Sequence, residues 1–217
     1  MTDETHEVYQ REGLGLSRIE ALTDGVLAIA MTLLVFDLRL HAGTTELTLW
    51  HNLVLMWPNL MAFALSFVML GIYWAAQRSQ HHHLHRVDTR FQWINMHFLM
   101  FVSLVPFSTR ILADFPMNQL ALALYGANQI AIGLGLYWMW AYAVRGWRLT
   151  DRPLPAFVVR FGDLRCLLAP ACYAAALPLM WLSPYATLAV YLSVPALYIL
   201  PLFRGLWIAL ARWGTGD

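Results

Sequence analysis

The sequence is poor in charge, and it contains no lysine and only two cysteines. Charged residues make up 12% of it, about half the share of an ordinary soluble domain, which argues against a solvated globular fold. The formal net charge of +1 offers no basic surface for nucleic acid, so no such partner is expected. Two cysteines are too few for a disulfide framework or a metal knuckle, and Cys166 and Cys172 are predicted to be packed, reduced thiols.

Long hydrophobic runs take the place of charge, since 59% of the residues are hydrophobic. Six runs are long enough to cross a bilayer as helices, and they lie at 18–40, 50–76, 91–112, 118–144, 163–183 and 185–210. The connections between them are too short to hold a soluble domain. The sequence therefore predicts an all-α integral membrane protein with six transmembrane helices.

The distribution of arginine predicts how these helices are oriented. If both termini are cytoplasmic, all but two of the 14 basic residues lie on the cytoplasmic side, and only Arg39 and Arg110 lie on the other. We expect 1–14 and 213–217 to be cytoplasmic tails and 15–212 to be one membrane domain. The first ten residues lack arginine and lysine, which argues against a secretory signal.

The first run changes from a polar beginning to a stripe of bulky apolar side chains. Ile29, Leu33 and Phe36 are spaced by four and three residues, so they share one face of a helix. Thr32 adds a hydroxyl beside them. A charged mouth followed by such a stripe is consistent with a permeation path closed by apolar side chains. An ordinary membrane helix with a polar end remains the alternative.

Asp24 is the residue of this run that most needs a partner. A carboxylate inside a span costs a few kcal/mol unless it is paired or hydrated, and Glu20 adds a like charge one turn earlier. Donors are available at the cytoplasmic ends of the first three spans: Arg18, Thr23, Gln77, Arg90, Asn95 and His97. Asp24 either belongs to a structural polar network there or binds an ion directly.

The beginning of the first run resembles the first-helix motif of the transmembrane protein 175 family, the lysosomal potassium channels and their prokaryotic relatives. The matching residues are Arg18, Asp24, Gly25, Val26, Ala28, Ile29, Thr32, Leu33 and Leu34. Leu22 and Thr23 stand where the family has Phe and Ser. Further matches are Tyr73-Trp74, Asn95, Pro106-Phe107 and Thr109, whereas Gln77 occupies a position at which the family often has His.

The resemblance implies a function and an assembly. Prokaryotic members with one six-helix repeat form homotetramers in which the first helices line a central pore. The implied constriction is Ile29, Leu33 and Phe36, with Thr32 and Ile29 contributing to selectivity. The implied polar network at the cytoplasmic end is Arg18, Thr23, Asp24 and Asn95.

We therefore expect a leak-like cation channel, moderately selective for potassium over sodium, in the plasma membrane of a prokaryote. It would use no cofactor or metal, have no catalytic residues and be no enzyme, with potassium as the permeant ion. The sequence has no Thr-Val-Gly-Tyr-Gly segment for a carbonyl filter and no span with arginine at every third position for a voltage sensor.

Three other interpretations remain open. The histidines from His81 to His85 include a pair spaced by four that a metal site would use, although a solvated loop is the simpler interpretation. A proton-coupled secondary transporter would use Asp24, whereas the amides Asn128 and Gln129 are better explained as contacts between helices. A membrane scaffold without transport is the third.

Overall fold

The computed structural model describes residues 3–39 and 45–200, and this part of the chain is helical, without β-strands. The α-helices are α1 (Asp3–Leu33), α2 (Leu49–Leu55), α3 (Trp57–His81), α4 (Thr89–Ser103), α5 (Val105–Asp114), α6 (Gln119–Val144), α7 (Ala156–Ala176), α8 (Leu179–Leu182) and α9 (Pro184–Ile199). Short 3₁₀ segments lie at Leu34–Asp37, Glu46–Thr48 and Arg145–Trp147.

Five helical stretches are long and apolar enough to cross a membrane: Gly15–Phe36, Trp57–His81, Thr89–Asp114, Gln119–Trp147 and Ala156–Leu182. A sixth apolar helix, Pro184–Ile199, is shorter, and the rest of the predicted sixth run lies beyond the described residues. The predicted all-α, multi-pass architecture is confirmed for the described part. The predicted tail at 213–217 also lies outside it.

The first helix begins earlier than the hydrophobic run. Its α-helical backbone extends from Asp3, so 3–14, which we expected to be a tail, continues the helix that follows. At its other end the α-helix stops at Leu33 and tightens into the 3₁₀ turn Leu34–Asp37. The span predicted at 18–40 is therefore not one uniform α-helix.

The second span is displaced toward the C-terminus, so the boundary at 50–76 is wrong. The long helix begins at Trp57 because Pro58, which has no N–H to donate, fits the first turn of a helix. It continues to His81, through residues assigned to a polar loop. Gln80 and His81 are buried there, and the side-chain amide of Gln80 donates to the carbonyl of Leu136, 3.2 Å away. A polar residue satisfied by a neighbouring helix can stay inside the bundle.

The third span bends at Leu104, between α4 and α5. Pro106 lies at the first turn of α5, which is again the position where a missing N–H costs least. The fifth span also differs from its prediction, since α7 begins at Ala156 rather than near 163. Hydrophobicity locates these spans, but proline and packing decide where the helices begin.

The core of the bundle is built around α6, which packs mainly against α7, α4 and α5. A side chain at Gly133 would overlap the ring of Pro170, so glycine is needed for the close approach of α6 and α7. The amides bond between helices, as expected. Tyr73 donates to the side-chain oxygen of Gln129 at 2.9 Å, and the amide of Asn128 donates to the hydroxyl of Ser108 at 3.2 Å.

Candidate functional site

Helix α1 has one buried face and one exposed face. Its buried residues are Ile19, Thr23, Leu27 and Ala30, and Leu34 of the 3₁₀ turn continues this face, which packs toward α3 and α4. The three predicted pore residues lie on the opposite face, where Ile29 is 60%, Leu33 44% and Phe36 62% exposed. The protomer therefore leaves about half of the surface of these large side chains uncovered.

Polar groups share the exposed face with these apolar side chains. At 100° per residue, Arg18 and Ile29 of α1 fall within about 20° of one another, and Thr32 lies about 40° from Arg18 on the other side. Arg18 and Thr32 are both exposed. A surface that contacted only lipid tails would not carry these polar groups in line with the apolar ones. The face is better suited to an aqueous path or to contact with other copies.

The 3₁₀ turn at the end of α1 aligns two of the three predicted constriction residues. In a 3₁₀-helix, side chains three residues apart eclipse one another. Leu33 is the last residue of α1, and Phe36 lies three residues later within the 3₁₀ turn Leu34–Asp37. Phe36 therefore stacks more directly above Leu33 than a continuous α-helix would place it.

The hydroxyl of Thr32 has a defined orientation. It donates to the backbone carbonyl of Ile29 at 2.9 Å. Because its hydrogen is used in that bond, the oxygen presents its lone pairs to the exposed side. At this level the face of α1 therefore carries a hydrogen-bond acceptor, which suits a cation.

A buried polar cluster joins α1, α3 and α4. The amide nitrogen of Asn95 donates to the Thr23 hydroxyl at 3.1 Å, and both residues are fully buried. The Gln77 amide reaches the oxygen of Asn95 at 3.5 Å. The structure thus brings two residues of the predicted polar network together and adds Gln77 to them. Arg18 lies on the exposed face, away from this cluster.

Asp24 has a partner that the sequence analysis missed. Its Oδ1 accepts a hydrogen bond from the indole nitrogen of Trp74 at 2.8 Å, and the guanidinium of Arg78 lies 5.5 Å from the centre of the same indole. None of the six predicted donors forms this bond. The Tyr73-Trp74 motif was the available signal, because an indole N–H near the end of a span needs an acceptor.

A polar crevice of about 370 Å³ lies beside Asp24. It is lined by Glu20, Asp24, Gln77, Arg78, His81 and His82. The ring nitrogen Nδ1 of His81 lies 3.4 Å from a carboxylate oxygen of Glu20. The crevice thus gives the carboxylates of α1 access to solvent while their neighbours on α3 limit their exposure.

The other histidines do not assemble around a common centre. Helix α3 ends at His81, so His85 is not on the same helical face, and it pairs instead with Asp151 at 3.1 Å. Partial burial and the neighbouring His82 lower the pKa of His83. Within residues 3–39 and 45–200, no three His, Cys, Asp or Glu side chains are grouped as metal ligands would be. Cys166 and Cys172 are free thiols.

Comparison with known proteins gives a consistent result. Residues 18–106 match the model of the family described as endosomal/lysosomal potassium channel TMEM175. A potassium channel of Streptomyces collinus is 32% identical over 185 residues, which cover 83% of this chain and 89% of the relative. A potassium channel of Chamaesiphon minutus is 30% identical over 194 residues, covering 87% and 93% respectively.

The fold comparison agrees with the sequence comparison. The crystal structure of a lysosomal potassium-selective channel TMEM175 homologue from Chamaesiphon minutus superposes with a TM-score of 0.72 at 25% identity. The match covers 91% of this chain and 98% of that one. The similarity therefore extends beyond the first three spans, which carry the motif residues, to nearly the whole chain.

Proposed function

The chain belongs to the TMEM175 family of potassium channels, and from this membership we propose that it is itself a potassium channel whose pore is lined by α1. The observation that carries the proposal is the exposed face of α1. The bulky apolar residues of this face lie on the same side of the helix as Arg18 and Thr32. This combination suits a pore axis better than a lipid surface.

The constriction in this proposal is formed by Ile29, Leu33 and Phe36. Four copies of each side chain around an axis would narrow the path until water leaves it, which blocks ions without a charged gate. The 3₁₀ turn places Phe36 over Leu33, so these two layers act as one longer apolar segment. Opening would require these side chains or the helices themselves to move apart.

Selectivity in this proposal depends on Thr32 and Ile29. The Thr32 oxygen can replace one water of a partly dehydrated cation, because its own hydrogen is bound to the Ile29 carbonyl. Ile29 forms the adjacent narrow ring. Potassium loses water more easily than sodium because it is larger, so moderate potassium preference follows. We expect Thr32→Ala to reduce that preference in the assay described below.

The assembly in this proposal is a homotetramer in the plasma membrane of a prokaryote, with both termini cytoplasmic. It works as a passive pore, without cofactor or catalysis, and potassium is its cargo. The cytoplasmic polar cluster of Thr23, Asn95 and Gln77 holds α1 against α3 and α4, while Trp74 fixes the carboxylate of Asp24 near the entrance. Rigid attachment at this end would allow the outer part of α1 to control the pore.

The first test is ion flux through purified protein in liposomes. Leu33→Ala should raise potassium flux severalfold and lower the preference for potassium over sodium, because it widens the constriction. Two leucines provide controls. Leu34→Ala changes the next residue, which is 1% exposed and packs into the protomer, and Leu124→Ala changes an exposed residue of α6.

The controls separate a pore effect from a general one. Leu124→Ala should leave flux unchanged, and Leu34→Ala should lower thermal stability without lowering selectivity. Equal changes in all three variants, or no flux from a stable wild-type assembly, would contradict the proposal.

The proton-coupled transporter has one supporting observation, the crevice that holds Asp24, Glu20 and His81. It predicts saturable potassium uptake that depends on an imposed pH gradient and is lost in Asp24→Asn. A channel predicts flux that follows the potassium gradient alone. Measuring flux with and without a pH gradient distinguishes the two.

A further inference from the structure

Two hydrogen bonds join the loop that follows α3 to the loop that follows α6. The backbone N–H of His85 donates to the carbonyl of Leu149 at 3.0 Å, and Nε of Arg86 donates to the carbonyl of Arg148 at 2.9 Å. Leu149 is buried beneath this junction, with 2% of its surface exposed. These hydrogen bonds restrain the backbone of both loops, so the arginines of the loops have defined positions.

Three exposed arginines lie at or beside this junction. The guanidinium of Arg148 lies 5.0 Å from the centre of the Tyr142 ring. Arg86 donates to the Arg148 carbonyl, and Arg90 lies two residues after Asp88, which bonds to the Tyr142 hydroxyl. We call Arg86, Arg90 and Arg148 the basic cluster.

The nearby carboxylate is already engaged. Asp88 accepts from the Tyr142 hydroxyl at 2.6 Å through one oxygen and from the backbone N–H of Phe91 at 2.8 Å through the other. Among the residues that the structure describes, no carboxylate forms an ion pair with an arginine of the basic cluster. The cluster is positively charged and holds donors for an external anion.

An exposed apolar face of α6 leads from the basic cluster into the membrane-spanning region. One helical turn below Tyr142 lies Trp138, which is 53% exposed, and its ring is 6.3 Å from that of His97 across the junction of α6 and α4. Leu134 continues the same face one turn deeper and is 46% exposed. Cationic, aromatic and aliphatic groups follow one another in the order of phosphate, glycerol and acyl chain in a phospholipid.

We propose that this surface binds one acidic phospholipid, with its phosphate at the basic cluster and an acyl chain along Trp138 and Leu134. Guanidinium groups match phosphate oxygens in geometry and charge, and clusters of arginine at a membrane surface bind acidic headgroups. Free phosphate would satisfy the arginines alone and leave the apolar face unused, so the lipid is the better fit.

The site lies away from the conducting path. Helix α6 packs mainly against α4, α5 and α7, whereas the proposed pore residues are on α1. The inference therefore stands whether or not the protein conducts potassium, and binding can be measured without any flux assay. An effect on conduction would pass through the helices that contact both α6 and α1, which are α3, α4 and α5.

The test is native mass spectrometry of the purified assembly with added phosphatidylglycerol or, separately, phosphatidylcholine. Wild type should prefer phosphatidylglycerol. The variant R90Q/R148Q should bind it about 25-fold more weakly, from about fivefold per arginine, with phosphatidylcholine binding unchanged. Both substitutions leave the Arg86 bond in place, because its acceptor is the backbone of residue 148.

A matched control is Arg160→Gln, which removes an exposed arginine of α7 outside the basic cluster. It should retain wild-type affinity. Equal weakening in Arg160→Gln would show general charge attraction and overturn the site. Displacement of phosphatidylglycerol by millimolar inorganic phosphate would assign the cluster to free phosphate and overturn the lipid proposal. If R90Q/R148Q does not fold, Arg148→Gln alone gives the same comparison with about a fivefold loss.

Discussion

Asn95 shows how a single buried amide holds three helices together. Its nitrogen bonds to Thr23 of α1, its oxygen accepts from Gln77 of α3, and the residue itself belongs to α4. Both partners are buried, so removing the amide would leave the Thr23 hydroxyl and the Gln77 amide without a hydrogen-bond partner and without water to replace it. Its position in the family motif is thus explained by the attachment of α1.

At this scale we predict a strong coupling between Asn95 and Thr23. Asn95→Leu should lower the free energy of unfolding by about 1–3 kcal/mol, because Thr23 and Gln77 lose their partner. Thr23→Val should lower the free energy of unfolding less in the Asn95→Leu background than in wild type, because the hydroxyl has already lost its partner in that background. Thermal or denaturant unfolding in detergent gives the four values of this double-mutant cycle.

The control for this cycle is Ser103→Ala, because the Ser103 hydroxyl donates only within its own helix, to the carbonyl of Leu99. Its effect should add to that of Asn95→Leu. If the effects of Thr23→Val and Asn95→Leu on the free energy of unfolding were also additive, a direct interaction between the two side chains would be contradicted.

Trp74 is the second residue whose role depends on a neighbour far away in sequence. Its indole N–H is the donor to Asp24, and Phe in its place would keep an aromatic ring, though a smaller one, and lose that bond. We predict that Trp74→Phe lowers the free energy of unfolding by about 1 kcal/mol, because the Asp24 carboxylate loses its hydrogen-bond donor.

The check is the thermal unfolding midpoint of the purified protein in detergent, with Trp181→Phe as the matched control. Trp181 is exposed at the far end of the bundle. A loss no larger in Trp74→Phe than in Trp181→Phe would show that the bond to Asp24 does not stabilise the fold.

At the scale of the elements, the contact between α6 and α7 depends on glycine opposite proline. A side chain at Gly133 would overlap the Pro170 ring, and one at Gly126 would meet the hydroxyl of Tyr191. Small residues allow membrane helices to approach closely, and such contacts are a main source of stability in lipid. Gly133 thus leaves the space that the ring of Pro170, inside α7, occupies.

We predict that Gly133→Ala lowers the free energy of unfolding by about 1–3 kcal/mol, because the added methyl forces the two helices apart. The measurement is the thermal unfolding midpoint of the purified protein. Gly71→Ala is the control, since a side chain there meets nothing within 4 Å. That substitution should be neutral or stabilising, because Ala favours the helix. Equal losses in both variants would mean that helix packing at Gly133 is not the cause.

The ends of the elements were harder to predict than their presence. Apolar runs located the spans because hydrophobicity is a property of each residue. The run at 50–76 was misplaced because Gln77, Gln80 and His81 are polar yet buried, and only neighbouring helices provide their partners. A sequence window cannot distinguish a buried polar residue from a solvated one.

At the scale of the molecule, the protomer exposes a face of α1 that its own fold does not cover. Of the stretches able to span a membrane, the one that contains α1 is the least buried. A helix with one packed face and one mixed polar and apolar face is suited to assembly around an axis. A single copy cannot enclose a path on this face.

We predict that the purified protein has a mass four times that of the 24.8 kDa chain, as measured by native mass spectrometry. Ile29→Cys should form disulfide-linked dimers on mild oxidation, because the same residue of neighbouring copies meets near the axis. Leu27→Cys is the control, since Leu27 is 1% exposed within its own protomer. A monomeric mass, or equal cross-linking at both positions, would contradict a pore lined by α1.

The sequence by itself determined the membrane class, the number of apolar runs and the family, whose resemblance at the first helix the comparisons confirm. It also identified Ile29, Thr32, Leu33 and Phe36 as one stripe, because helical spacing is local. The tertiary structure decided that Asp24 bonds to Trp74, that Thr23 meets Asn95, and that Tyr142 bonds to Asp88. These partners lie dozens of residues apart, and the packing of whole helices brings them together.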